Sequence, residues 1–192
     1  MKHVLKYSLI FIALSCKSQV TSIAPLNGLS FENPNGTYFK DLNNELDYYV
    51  GKWEGTLNNK KYIFEFVKFT QHLRSYDGTT NGSYYYEDEI LGKLKVIDLL
   101  TNQVLYDNLN VTNYDDYLIL GLAKKNGMFS FLYQDKAEKC YLHLRRINGQ
   151  PNQLTYCYFT LQSYRDNECL NYQNIYDIPI FLPKTDLILT KQ

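Results

Sequence analysis

The sequence predicts an all-β domain of about eight or nine antiparallel strands, closed into a barrel or folded into a sandwich. Three observations lead there. Aromatic residues make up 16% of the chain, with 19 tyrosines and 10 phenylalanines, and together with Val, Ile and Thr they fit a pleated, half-buried surface. Apolar and polar residues alternate with a period of two in several runs, whereas the 3.6-residue period of an amphipathic helix is weak throughout. Turn residues separate those runs at short intervals.

The elements follow in order along the chain. Residues 17–44, "KSQVTSIAPLNGLSFENPNGTYFKDLNN", are rich in Asn, Ser, Pro and Gly without a sustained period and read as a tether. Asn44–Asp47 could make one helical turn. Strands are expected near 49–57, 61–71, 83–97, 103–107, 117–123, 128–134, 139–147, 153–163 and 185–191. "LNNKKY" joins the first two strands. "KKNGMF" joins the 117 and 128 runs, and its Asn126-Gly127 pair is a strong hairpin signal because both residues tolerate positive φ. "INGQPN" joins the 139 and 153 runs and keeps Pro151 out of the sheet. In the first strand Tyr49, Gly51, Trp53, Gly55 and Leu57 share one face, and Lys52, Glu54 and Thr56 the other. Ile90, Gly92, Leu94 and Val96 likewise oppose Lys93 and Lys95. Trp53 is the chain's single tryptophan. Gly51 and Gly55 flank it on its own face, where they leave room for the indole and also mark a sharp bend or the close approach of another backbone, so the ring is expected to plug one end of a barrel, with its N–H bonded to a partner.

The first residues read as an export signal. Lys2, His3 and Lys6 precede an apolar run from Tyr7 to Leu14 that is too short to span a bilayer. Ala13-Leu14-Ser15-Cys16 resembles a lipobox, which implies a diacylglycerol on Cys16. Cleavage by general signal peptidase, with Ala13 and Ser15 as the small residues, would instead leave Cys16 a normal thiol and the protein secreted. The expected organisation is a signal peptide over 1–15, a lipid-anchored tether over 16–44 and one β domain over 45–192, in a bacterial cell envelope at the outer membrane. Of the 4 cysteines, acylation of Cys16 leaves Cys140, Cys157 and Cys169, hence one disulfide of undetermined pairing and one free thiol. The sequons at Asn35, Asn81 and Asn110 would matter only in a eukaryotic secretory setting.

Gly51-Lys52-Trp53, opening the first strand after a helical turn, resembles the Gly-x-Trp motif of lipocalins and the wider calycin group. Asp116-Tyr117 in "YDDYLIL" is similar to that group's Thr-Asp-Tyr motif, with Asp115 in place of Thr. The group's third element is a basic residue packed over the tryptophan, a role that Lys191 on the last strand could fill, or alternatively Arg145 or Arg146. The signal, the tether, "ELDxYVGxW" and the terminal "LTKQ" also resemble a group of small Bacteroidetes lipoproteins carrying a domain of unknown function. The resemblance implies a calycin-like barrel and an envelope location, and it implies no activity.

Lys plus Arg equals Asp plus Glu, at 20 each, which argues against nucleic acid as a partner. No hydrolase, nucleotide-binding or zinc motif occurs, so no cofactor or metal is expected, and an enzyme is the least favoured class. His72 and His143 are the histidines that follow the signal, and His143 reads as a polar residue of the barrel wall. Glu87-Asp88-Glu89 reads as a solvated strand end rather than a calcium site, and Asp77 as a turn residue. Two function classes remain. One is a lipid-anchored envelope protein that takes a small apolar or amphipathic ligand in the mouth of its barrel. The other is a module for binding an envelope protein, or an inhibitor, with a tyrosine-rich surface and no cavity. Tyr84, Tyr86, His143 and Arg145 are the candidate ligand or partner contacts. Phe64, Phe66, Phe129, Phe131 and Tyr156 bear on the choice, because a barrel of eight strands is barely wide enough for its own side chains.

Overall fold

The computed structural model describes residues 20–26, 33–75, 78–125, 128–135, 138–147, 149–159 and 181–192. The strands are β1 Ser22–Pro25, β2 Thr37–Lys40, β3 Gly51–Leu57, β4 Lys60–Ser75, β5 Tyr84–Asp98, β6 Val104–Asp107, β7 Ile119–Lys125, β8 Met128–Asp135, β9 Glu138–Arg146, β10 Gln153–Phe159 and β11 Leu187–Lys191. Helix among these residues is confined to short 3₁₀ turns such as Leu46–Tyr48 and Tyr114–Asp116. Two units result. The larger comprises Asn43–Phe69 and Glu89–Gln192, and the smaller Met1–Leu42 and Thr70–Asp88. The long strands β4 and β5 contribute to both.

The larger unit is a closed antiparallel barrel. β3 pairs with β4 on one side and β11 on the other. The run continues through β10, β9, β8 and β7, and β7 returns to β5, the neighbour of β4. Eight strands therefore close on themselves, and the sandwich alternative is excluded. β6 adds to β5 outside this circuit. The closing seam between β5 and β7 has two residue pairs, Leu91 with Leu120 and Gly92 with Ile119. A Cβ on Gly92 would lie 2.8 Å from the Phe66 ring, so the seam closes against an aromatic only because that Cβ is missing. Local chemistry sets the turns. Asn58 and Asn59 have φ of 49° and 57° and allow Leu57 to pair with Lys60 in a two-residue hairpin. Lys125 pairs with Met128, while the Asn126-Gly127 turn itself lies outside the described residues, as does Asp77.

Aromatic rings fill the barrel. Trp53, Phe64, Phe131, Tyr133 and Tyr156 are fully buried. Phe64 and Phe66 lie nearly parallel with centroids 6.1 Å apart. Phe66 contacts Phe131 at 5.0 Å and Phe64 contacts Tyr156 at 5.6 Å. The outer face of β3 and β4 carries the cross-strand ion pairs Lys61–Glu54 and Lys52–Glu65. Exposed pairs of this kind contribute only about 0–1 kcal/mol each, so the ring packing dominates stability. Lys93 is on the outer face of β5 but is buried. Its ammonium donates to Leu109 O at 3.0 Å, lies 3.6 Å from Glu65 and faces the Tyr117 ring at 5.3 Å. The connection between β6 and β7 covers it.

The smaller unit corrects the tether reading of 16–44. β1 pairs in parallel with β2, and β2 in parallel with β5 through Tyr38–Tyr86 and Phe39–Glu87. Thr37, Tyr38 and Phe39 are buried, so ordered structure begins well before residue 45. A stretch of three buried residues among Asn, Pro and Gly is too short to show a period. The acidic run is likewise no solvated strand end. Asp88 is buried and accepts hydrogen bonds from Tyr38 Oη at 2.5 Å, Asp41 N at 2.9 Å and Gln71 N at 3.1 Å. Burial and the Asp88 carboxylate push the Tyr38 hydroxyl well above its usual pKa. Glu87 pairs with Arg74 at 2.7 Å. Glu89, in the larger unit, is buried and accepts from Tyr114 Oη at 2.6 Å.

Gly55 tests the barrel's tightness. A Cβ there would lie 2.7 Å from Ile188 O and 2.8 Å from Leu189 Cδ2. Gly55→Ala is expected to cost about 1–3 kcal/mol in denaturant unfolding through overpacking. Gly82→Ala, with no atom within 4 Å of the new Cβ, should stay within about 0.5 kcal/mol of the parent. Equal midpoints for both variants would refute the close approach of β11.

Candidate functional site

Two regions of the larger unit gather the residues of interest, one at each end of β3. The first surrounds the indole. The 3₁₀ turn Leu46–Tyr48 delivers Tyr49 beneath β3, and Trp53 Nε1 donates to Tyr49 O at 2.7 Å. Lys191 sits opposite Trp53 in the pairing of β11 with β3. Its Nζ stands 5.2 Å from the indole centroid and donates to Tyr48 O at 3.2 Å. Of the basic candidates for this place, Lys191 is the one that occupies it. Tyr48 packs on the indole at 5.8 Å and its hydroxyl donates to Gln153 O at 2.7 Å.

Of the two expectations for the glycines, the structure bears out the close approach of another backbone and not the space left for the indole. Gly51 has φ of +113°, a conformation that side chains disfavour, and a Cβ on it would touch the Lys191 stem at 3.4 Å. Gly55 admits the backbone of β11. Both glycines therefore accommodate the last strand rather than the ring.

Asp116 and Tyr117 do not join this cluster. Asp116 is exposed in its 3₁₀ turn. Tyr117 is buried edge-on against Phe69, with centroids 5.5 Å apart, and beside Lys93. The reason is topological: these residues lead into β7, whose neighbours are β5 and β8, whereas the indole's strand lies between β4 and β11.

The second region is a cleft of about 400 Å³ at the far end of β3. Leu57, Tyr62, Val96 and Leu105 supply its wall from β3, β4, β5 and β6. Phe181 and Leu182 complete the apolar part from the segment leading into β11. Asn58, Lys60, Lys184 and Thr185 line its polar part. That segment is well anchored: Phe181 stacks on Tyr106 at 4.7 Å, and Tyr156 Oη donates to Pro183 O at 2.8 Å. The Asn58–Asn59 hairpin is tied to the neighbouring turn by Leu99 N donating to Asn59 O at 2.8 Å. Leu99, Leu100 and Val104 are exposed apolar residues of that turn and of β6. Burial raises the pKa of the Tyr62 hydroxyl, so the phenol stays neutral in the cleft.

The other candidate contacts fall elsewhere. Tyr86 is buried and touches the half-buried Tyr84 at 6.0 Å, and Tyr85 meets Phe39 at 5.5 Å. Of the consecutive tyrosines, Tyr86 is thus buried in the smaller unit, while Tyr84 and Tyr85 are each half-buried. His143 is described by its backbone alone, paired with Cys157 and Ser130. Arg145 is exposed on the same strand, β9. Cys157 is a half-buried free thiol, and burial, followed by the nearby Asp186 carboxylate, raises its pKa against the opposing Arg145 charge. Cys16 and Cys169 lie outside the described residues, and Cys140 is described by its backbone alone. Among the described residues no three of His, Cys, Asp and Glu converge as metal ligands.

Fold and site together define a closed β-barrel with a plugged end and a cleft at the other. The chain belongs to a family of unknown function, DUF6705, whose model matches residues 1–192. No curated protein and no solved structure matches it.

The indole cluster yields a stability test. Trp53→Ala removes a fully buried ring and its hydrogen bond to Tyr49 O, and should cost about 3–5 kcal/mol in denaturant unfolding. Lys191→Met keeps the stem and removes the charge, and should cost about 0.5–2 kcal/mol. A Trp53→Ala protein as stable as the parent would remove the plug role.

Proposed function

We propose that the protein is a lipid-anchored envelope protein that binds a small apolar or amphipathic ligand without catalysing a reaction. The cleft at the β3–β4 hairpin carries this reading. Its volume falls in the range of small-molecule sites, about 300–1,000 Å³, and its mix of apolar wall and few polar groups is what such sites use. The filled interior matters too. Rings from β3, β4, β8 and β10 occupy the barrel axis, so a ligand is taken at the mouth and not swallowed, which suits a short or single-chain molecule. Anchoring is inferred from the sequence alone, with Cys16 carrying the diacylglycerol and the bacterial outer membrane as the location.

Native mass spectrometry of the protein purified from its own cells tests both halves. The expected spectrum has a chain beginning at Cys16 with acyl chains attached, plus a dissociable small-molecule adduct. Val96→Trp and Leu105→Trp, each placing an indole in the cleft, should lose the adduct while keeping the far-ultraviolet dichroism of the parent. A bare chain, or an adduct retained by both folded variants, contradicts the reading.

A further inference from the structure

We propose that the cleft takes an uncharged apolar molecule with one hydrogen-bond acceptor, such as a ketone or ester carbonyl, which meets the hydroxyl of Tyr62. This rests on the cleft being a ligand site, and it adds the chemistry of the ligand. Tyr62 follows the inward alternation of β4 with Phe64 and Phe66, and it is the one of the three that reaches the cleft. Only 6% of the residue is exposed. Among the described residues its hydroxyl has no hydrogen-bond partner. Burial is the sole cause that raises its pKa, with no carboxylate or hydrogen bond contributing.

The polar side chains of the cleft are sorted by depth. Asn58, Lys60, Lys184 and Thr185 are exposed at the rim, whereas Tyr62 is buried and lines the cleft together with Val96 and Leu182, which are buried too. Its phenol is therefore the one buried polar side chain among the described lining residues. A buried hydroxyl without a partner is costly. A water reaching it would find this hydroxyl as its one polar side-chain partner, short of the several that a well-held water needs. A ligand oxygen can replace such a water at little loss. The charges at the rim do not select an ion. Asp98, which accepts from Leu100 N at 2.8 Å and Thr101 N at 3.0 Å, also interacts with the Lys60 ammonium, and Lys184 has an interaction of its own. A carboxylate or ammonium carried down to Tyr62 would shed its water with no free opposite charge beside it. A neutral phenol donates to a neutral acceptor without that cost.

Calorimetric titration of the purified protein with butyrophenone, butylbenzene, phenylbutyrate and phenylbutylammonium tests this, because the four share a ring and a short chain and differ in the polar group. Butyrophenone should bind more tightly than either ion. Tyr62→Phe deletes one hydroxyl and should weaken butyrophenone about fivefold. It should leave butylbenzene, which has no acceptor, bound as in the parent, and that binding also shows the variant's cleft to be intact. Butyrophenone held equally by parent and variant, a loss that butylbenzene shares, or an ion bound more tightly than the ketone overturns the acceptor assignment and leaves the ligand site standing. Failure of all four to bind the parent ends both.

Discussion

The hydrogen bond from the Trp53 indole to Tyr49 O is the constraint on which the barrel depends. A buried indole needs a partner for its N–H, and here the partner is the backbone just before the strand that carries the ring. That bond fixes how the chain enters β3. Once β3 is set, its two edges are committed, one to β4 through seven residue pairs and the other to β11, the last strand of the chain. The Lys191 ammonium then closes over the ring and holds the Tyr48 carbonyl. The beginning and end of the domain are therefore joined at a single side chain.

From that end the interior fills with rings until the far end of β3, where the packing gives way to the cleft. β5 organises the rest. Within the larger unit it pairs with β7 at Gly92 and with β6 at Val96. The cleft wall is assembled from β3, β4, β5 and β6, through Leu57, Tyr62, Val96 and Leu105, and not from any conspicuous motif.

Much of the fold was legible in the sequence. Alternation around Trp53 and Leu94 marked strands that the structure places within a few residues of the expected bounds. What stayed hidden was short or non-local. Thr37, Tyr38 and Phe39 carry β2 on three buried residues, and no period can be read from three. Asp88 looks like a surface acid until the hydroxyl of Tyr38 and the amides of Asp41 and Gln71 are brought to it from elsewhere in the chain. Gly55 was legible as a close approach, but the approaching group, Ile188 O, comes from the other end of the chain. The cleft draws Leu57, Val96, Leu105 and Leu182 from four separate segments, and each alone is an ordinary apolar residue. Asp116-Tyr117 shows the converse: a matched pattern whose neighbours in space serve another part of the molecule.

Because the chain has one tryptophan, its indole N–H gives a single resolvable proton signal, and that signal reports the plug directly. Its exchange with deuterated solvent under native conditions should proceed only through global unfolding. The free energy derived from its protection should then equal the stability from denaturant unfolding. Exchange complete within the time of the first spectrum would mean that the ring meets water in the folded state, and the account of a barrel sealed by a buried, hydrogen-bonded indole would be contradicted.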